Sequence, residues 1–184
     1  MELFKNKYRI PSARLQSWDY SNAGMYFITI CTRNRECYFG NIANAEMHLS
    51  EIGRIAETKW LETLELRKDM NIELAEFQVM PNHFHAILMI GNNQYNSSTD
   101  AGNNTTIATN DKTNNFKPQS KNLSSILRGY KSAVTGFANN NNIDFVWQSR
   151  FHDHIIRSMD EYYRIAEYII NNPARWLEDK FYMV

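Results

Sequence analysis

Two histidines separated by one apolar residue, His83-Phe84-His85, are the first residues whose type and spacing suggest chemistry. On an extended strand the side chains of residues i and i+2 leave the same face. Both imidazoles therefore project together, while Phe84 enters the opposite layer and anchors the strand. Two imidazoles on one face can hold a metal ion, although His-x-His also arises by chance in cores and on surfaces. The chain carries its own comparison in His152-Asp153-His154, which has the same spacing but no apolar anchor and lies between Arg150 and Arg157. That second pair reads as a binding or structural element of a phosphate-facing surface.

A second constellation is Tyr168-Ile169-Ile170-Asn171-Asn172. Tyr168 and Asn172 are four residues apart and share a helix face. Ile165 and Ile169 form the neighbouring apolar stripe that docks the helix. A phenol beside a neutral oxygen ligand suits a metal-assisted tyrosine nucleophile. Taken without the histidines, the pair reads as a core tyrosine and a helix terminator.

The elements that must position these groups are legible from periodicity. Gly24–Thr32 is aromatic and β-branched and predicts a strand. A short strand follows at Met47-His48-Leu49. Ser50 has the character of an N-cap, Glu51 suits the first turn, and Ile52, Ile55, Ala56, Trp60 and Leu64 recur at helical spacing, which predicts an amphipathic helix over 51–68. Ile72–Val79 predicts a strand, Pro81-Asn82 a turn, and 83–90 a buried strand. Residues 92–120 are rich in Asn, Thr and Ser and too poor in apolar residues to order themselves, which predicts a flexible insertion. A helix from Leu123 to about Phe137 follows, ended by Asn139–Asn142. Phe145-Val146-Trp147 then reads as a strand, and His154-Ile155-Ile156 as a sheet extension. A last helix runs from Met159 to Asn172, where Pro173 stops it. Strands and helices interspersed in this way predict a single α+β domain over 1–184, with a mainly antiparallel sheet.

At 184 residues the chain suits one domain with a real core, and its 43% hydrophobic and 22% charged residues are those of a globular protein. It lacks a membrane-length apolar run and a secretory leader, and its two cysteines, Cys31 and Cys37, lack zinc-site spacing. The expectation is a cytoplasmic protein with reduced thiols. Net charge is zero, yet residues 1–35 and 117–157 each carry six Lys/Arg against two Asp/Glu, while 36–116 carry five against eleven. The basic segments could fold into one phosphate-facing surface, or the pattern could be an ordinary solvated fluctuation.

Three segments in order, QVMPNHFHAILMI (78–90), VWQSRFHDHIIRS (146–158) and YRIAEYIINNPARW (163–176), resemble the transposases associated with repetitive extragenic palindromes. These are relatives of the single-tyrosine insertion-sequence transposases and belong to the His-hydrophobic-His (HUH) endonucleases. The resemblance runs from the Tyr26–Thr32 strand to Trp176, without the insertion. It implies a ferredoxin-like fold, with His83 and His85 as metal ligands on a central strand, Asn172 in the place of the helix-borne third ligand, and Tyr168 as the nucleophile. Tyr130 and Tyr163 fit that role less well. The implied reaction is cleavage and rejoining of single-stranded DNA through a 5′-phosphotyrosine, with Mg2+ or Mn2+ as cofactor. The implied substrate is a small hairpin with adjacent single-stranded bases, bound by a monomer or homodimer. Arg33, Arg35, Arg128, Lys131, Arg150 and Arg157 are the candidate phosphate contacts. Tyr26, Phe145 and Trp147 are candidates for base stacking or for the core. Two rival readings share the scaffold: a non-catalytic nucleic-acid-binding module, and a metal phosphodiesterase that activates water.

Overall fold

The protein was analysed as a computed structural model, which describes residues 18–97 and 120–182. Strand β1 (Gly24–Cys31) leads through a short 3-10 turn to the hairpin β2 (Gly40–Ala43) and β3 (Glu46–Leu49), then to helices α1 (Glu51–Leu61) and α2 (Thr63–Leu66). Strands β4 (Ile72–Met80) and β5 (His83–Ile90), helix α3 (Leu123–Asn140), strand β6 (His152–Ile156) and helix α4 (Met159–Asn171) complete the order. The main sheet has the order β4-β5-β1-β6, antiparallel throughout. This is the ferredoxin-like α+β sandwich expected from the sequence, with β5 and β1 at the centre.

Alternation along the central strands divides the sheet into two layers. Tyr26, Ile28 and Ile30 of β1, with Phe84, Ala86 and Leu88 of β5, face α1 and α3 in one core, together with Trp60, Ile126, Leu127, Tyr130 and Val134. Phe27, on the other face, joins Ile87, Ile156, Ile165, Ala166 and Ile169 beneath α4. Each fully buried isoleucine in that second layer contributes roughly 1.5–3 kcal/mol of transfer free energy. Ile165 and Ile169 therefore fix α4, and Tyr168 with it, over the sheet.

Local signals account for the helix boundaries. The Ser50 hydroxyl accepts from the Gly53 N–H at 3.1 Å and donates to the Tyr38 carbonyl at 2.7 Å. A Cβ at Gly53 would lie 2.2 Å from the Phe39 carbonyl oxygen, so glycine permits the close approach of α1. Asn122 and Ser125 form a reciprocal capping box at α3. Ser158 caps α4, with Asp160 and Glu161 in its first turn.

The structure corrects three expectations. The predicted 51–68 helix is two helices, α1 and α2, followed by a 3-10 turn at Lys68–Met70. Phe145-Val146-Trp147 is not a strand: it makes one bridge, Trp147 to Thr32, and its rings pack with Phe39. Tyr26, Phe145 and Trp147 take the core placement that the sequence offered beside base stacking. Residues 92–97, the start of the predicted insertion, form a hydrogen-bonded turn in which Asn93 donates to the Met70 and Gly91 carbonyls and Asn96 to those of Ser21 and Gly91. Residues 98–119 of that insertion lie outside the described residues.

Candidate metal and nucleophile site

Register brings the chemical groups together at one end of the sheet. Cys31 pairs with His83, and Thr29 with His85 on one side and His152 on the other. Both β5 histidines lie on the α4 face and are fully buried, with ring centroids 4.4 Å apart.

Each imidazole is oriented by its Nδ1. His83 Nδ1 lies 2.9 Å from Asn82 Oδ1, while Asn82 Nδ2 donates to the Phe181 carbonyl at 2.8 Å. The Phe181 bond fixes which end of the amide is oxygen. His83 must therefore carry its proton on Nδ1, leaving the Nε2 lone pair aimed into the site. That Nε2 is buried and has no hydrogen-bond partner among the described residues. His85 Nδ1 meets Thr29 Oγ1 at 2.9 Å, and its Nε2 lies 3.2 Å from the Tyr168 hydroxyl.

The tail after α4 closes the constellation. A 3-10 turn at Trp176–Glu178 brings Asp179 back over the helix end. Its Oδ2 accepts from Asn172 Nδ2 at 2.7 Å and from the Tyr168 hydroxyl at 3.1 Å. With its nitrogen engaged there, the Asn172 amide turns Oδ1 inward, where it too is buried without a hydrogen-bond partner among the described residues. Phe181 packs on His83 at 4.6 Å between centroids, and Arg35 donates to the Lys180 carbonyl at 3.0 Å while lying over the Phe181 ring.

Electrostatics follows from this burial. His83 is held down to about 3, first by burial and then by the charges of Lys180 and Arg35. His85 is also held well below the ordinary imidazole range, by burial and then by His83. Both rings are thus neutral lone-pair donors at physiological pH. Burial, and then the Asp179 carboxylate, push the Tyr168 phenol above its usual value.

Ligand atoms of His83, His85 and Asp179 lie within 4.8 Å of one another. Two buried acceptors that meet no donor of good geometry among the described residues, His83 Nε2 and Asn172 Oδ1, belong to side chains that face each other at this cluster. Leaving such acceptors unsatisfied costs about 1–3 kcal/mol each. A divalent cation would satisfy both, so the donor set of two imidazoles, an amide oxygen and a carboxylate fits such an ion. Tyr168, 38% exposed, stands at the mouth of a cavity of about 480 Å3 that is also lined by Phe27, Asn171, Arg175 and Glu178.

Of the residues singled out in the sequence, the structure brings together His83, His85, Tyr168 and Asn172. Tyr130 lies in the opposite layer, buried against Trp60 and Phe84, and Tyr163 is exposed beside Tyr162. Among the basic candidates, Arg35 is tied to the tail over the site by its bond to the Lys180 carbonyl. Arg33, Arg128, Arg150 and Arg157 are exposed elsewhere, while Lys131 Nζ donates to the Gln148 and Ser149 carbonyls at 2.6 and 3.3 Å. His152 and His154 are exposed on the edge strand β6, and His154 Nε2 meets Glu161 Oε1 at 2.7 Å.

Sequence reasoning missed Asp179, Asn82 as the orienter of His83, and Thr29. Asn82 lies inside the segment that carries the motif, where it was read only as a turn residue. Thr29 becomes visible only once strand register is known. Nothing local to Asp179 marks it.

No family profile matches the chain. A protein of Haemophilus influenzae with no assigned function is 36% identical over 173 residues, covering 94% of this chain and 92% of the relative. The solved structure of a REP-associated tyrosine transposase bound to a REP hairpin superposes with a TM-score of 0.56 at 19% identity, over 93% of this chain and 74% of that one. A candidate transposase from Deinococcus radiodurans superposes more loosely, with a TM-score of 0.41 at 13% identity, over 86% of this chain and 95% of that one, and carries no argument. The chain belongs to one family with the Haemophilus influenzae protein, and it has the fold of the REP-associated tyrosine transposase.

Proposed function

We propose that the protein is a metal-dependent endonuclease of the tyrosine transposase type, acting on single-stranded DNA at hairpin-containing repeats. The observation that carries the reading is the placement of one partly exposed phenol, Tyr168, 3.2 Å from the Nε2 of a buried neutral histidine, beside two orphaned ligand atoms. The fold neighbour, whose structure holds a REP hairpin, supports the choice of substrate.

In this reading His83, His85 and Asn172, with Asp179 beside them, hold a divalent ion, Mg2+ or Mn2+, which supplies Lewis-acid charge to the scissile phosphate. Tyr168 Oη attacks phosphorus. The new bond is tyrosyl oxygen to phosphorus, and the bond broken is phosphorus to the 3′ oxygen of the preceding nucleotide. The products are a 5′-phosphotyrosine and a free 3′-hydroxyl, which can reverse the step without a nucleotide cofactor. With the His85 Nε2 lone pair given to the ion, the acceptor left for the phenolic proton within hydrogen-bond reach is Asp179 Oδ2. Asn82 and Thr29 hold the two imidazoles in orientation. Arg33, Arg35, Arg128, Arg150 and Arg157 remain the proposed phosphate contacts, whereas the Lys131 ammonium is engaged by the Gln148 and Ser149 carbonyls.

One observation favours a second reading. Because burial, and then Asp179, push the Tyr168 phenol above its usual value, water is a competing nucleophile at the same centre. Incubation with a hairpin oligonucleotide and Mn2+, followed by denaturing electrophoresis, separates the two. The tyrosine reading predicts a covalent protein–DNA adduct that is lost in Tyr168→Phe. Cleavage without any adduct would establish the hydrolytic reading, and binding with neither would leave a recognition module.

A further inference from the structure

The chain leaves β1 through a turn that its residues do not favour. Asn34 and Arg35, neither a glycine, stand consecutively at φ 53° and 57°. That left-handed region crowds a Cβ, and a residue held there points to a role for the side chain it aims. Thr32 fixes the turn, its hydroxyl meeting the Glu36 carbonyl at 2.7 Å and the Asn82 carbonyl at 2.9 Å. The result is the direction of Arg35. Its guanidinium donates to the Lys180 carbonyl at 3.0 Å and lies 5.2 Å from the centroid of the Phe181 ring.

Lys180 stands between the two tail residues that shape the donor set. On one side of it, Asp179 Oδ2 accepts from Asn172 Nδ2 at 2.7 Å and from the Tyr168 hydroxyl at 3.1 Å. That contact engages the amide nitrogen and leaves Asn172 Oδ1 turned inward. On the other side, the Phe181 carbonyl accepts from Asn82 Nδ2 at 2.8 Å, which sets the His83 proton on Nδ1, and the Phe181 ring packs on His83 at 4.6 Å. The Phe181 N–H closes the unit on Asp179 Oδ1 at 2.6 Å. Asn82, Asn172 and Tyr168 hold the tail from within the site, and Arg35 holds it from outside. A planar guanidinium can donate from its edge and stack by its face at once, which an ammonium cannot.

We infer that Arg35 is a positioning residue of the metal centre. By holding the tail at the Lys180 carbonyl, it keeps Asp179, Asn172 and His83 in the arrangement that fits a divalent ion. The inference rests on the proposed function for that donor set, and it gives Arg35 a role that needs no DNA. It also fixes a sign. Arg35 and Lys180 are both cations whose charge bears on His83. A positive charge beside a cation site repels the ion, so if charge alone mattered, removing either one would tighten binding. Positioning predicts the reverse for Arg35. Lys180, in contrast, takes part through its backbone carbonyl, which survives a change of side chain. Closure of the tail and binding of the ion are then one linked equilibrium.

Calorimetric titration of the full-length protein with Mn2+, without DNA, tests this. Arg35→Gln should weaken Mn2+ binding roughly tenfold, the lower end of what loss of an orienting partner does, because the guanidinium is exposed. Arg35→Lys keeps the charge and should weaken binding too, and it serves if Arg35→Gln does not fold. Lys180→Gln removes an equal charge and should leave the affinity within about threefold of wild type or tighten it. A second readout needs no metal. In EDTA, heteronuclear NMR of the histidine rings should find the His83 proton on Nδ1 in wild type and in Lys180→Gln, and partly on Nε2 in Arg35→Gln. Mn2+ affinity in Arg35→Gln equal to or tighter than wild type, with or without weaker DNA binding, would overturn the inference. So would an equal loss in Lys180→Gln, or a lower melting temperature in Arg35→Gln with affinity and tautomer unchanged. A wild type that binds no Mn2+ would overturn it together with the metal reading, whereas Arg35-dependent Mn2+ binding by a protein that forms no adduct would sink only the tyrosine reading.

Discussion

Replacing Asn82 with alanine should weaken metal binding from a position that cannot itself reach the ion. The Asn82 side chain is fully buried and makes two bonds, accepting from His83 Nδ1 at 2.9 Å and donating to the Phe181 carbonyl at 2.8 Å. Truncation leaves a buried N–H and a buried carbonyl without partners, which costs about 2–6 kcal/mol of stability in total. It also frees the His83 proton to move to Nε2, which would remove a ligand lone pair. Loss of such an orienting partner typically lowers metal affinity about 10–100-fold. Calorimetric titration with Mn2+ reads the affinity, and thermal unfolding with and without Mn2+ reads the linked stabilisation. Affinity within threefold of wild type in Asn82→Ala would refute the argument that this amide selects the imidazole tautomer.

Other consequences are equally direct. Asp179→Asn keeps the shape of the tail but removes its charge, and should weaken Mn2+ binding roughly 10-fold or more in the same titration; an unchanged affinity would exclude Asp179 from the donor set. Phe84→Ala deletes the anchor between the two histidines, a fully buried ring packed 5.0 Å from Trp60 and 5.3 Å from Tyr130, and should cost about 3–5 kcal/mol in urea unfolding. Tyr162 donates to Glu76 at 2.8 Å and is pushed up to about 12, chiefly by that carboxylate. Its folded value lies above the unfolded one of about 10, so its contribution is complete below pH ~10 and is lost as pH rises towards 12. Stability measured across that window should fall less steeply in Tyr162→Phe than in wild type.

Much of the site was legible because it depends on short-range periodicity. Alternation on β5 alone aims His83 and His85 together and sends Phe84 to the other layer. Helical spacing alone places Asn172 one turn beyond Tyr168, with Ile165 and Ile169 as the docking stripe. What was illegible depends on contacts distant in sequence. Asp179 enters the site only because a 3-10 turn folds the tail back over α4, and no local pattern announces that return. Strand β2 escaped notice because the β2–β3 turn uses Asn44-Ala45, both at positive φ, where an Asn-Gly pair would have signalled a hairpin. Phe145 and Trp147 were read as strand residues from their β-propensity, but that propensity reflects burial as much as ladder formation, and here the rings fill an aromatic core. Lys131 was counted as a phosphate contact from charge alone, whereas its ammonium is bonded to two carbonyls that join α3 to the following segment.

If Tyr168 forms the covalent link to DNA, peptide mapping of the adduct will locate it there. Trypsin cleaves after Arg164 and Arg175, releasing 165–175, a peptide in which Tyr168 is the one tyrosine. After incubation with a hairpin oligonucleotide and Mn2+, nuclease trimming and mass spectrometry should find this peptide carrying a nucleotide through its 5′ phosphate. A nucleotide on the peptide holding Tyr162 and Tyr163, on the one holding Tyr130, or cleaved DNA with every peptide unmodified, would rule Tyr168 out as the nucleophile.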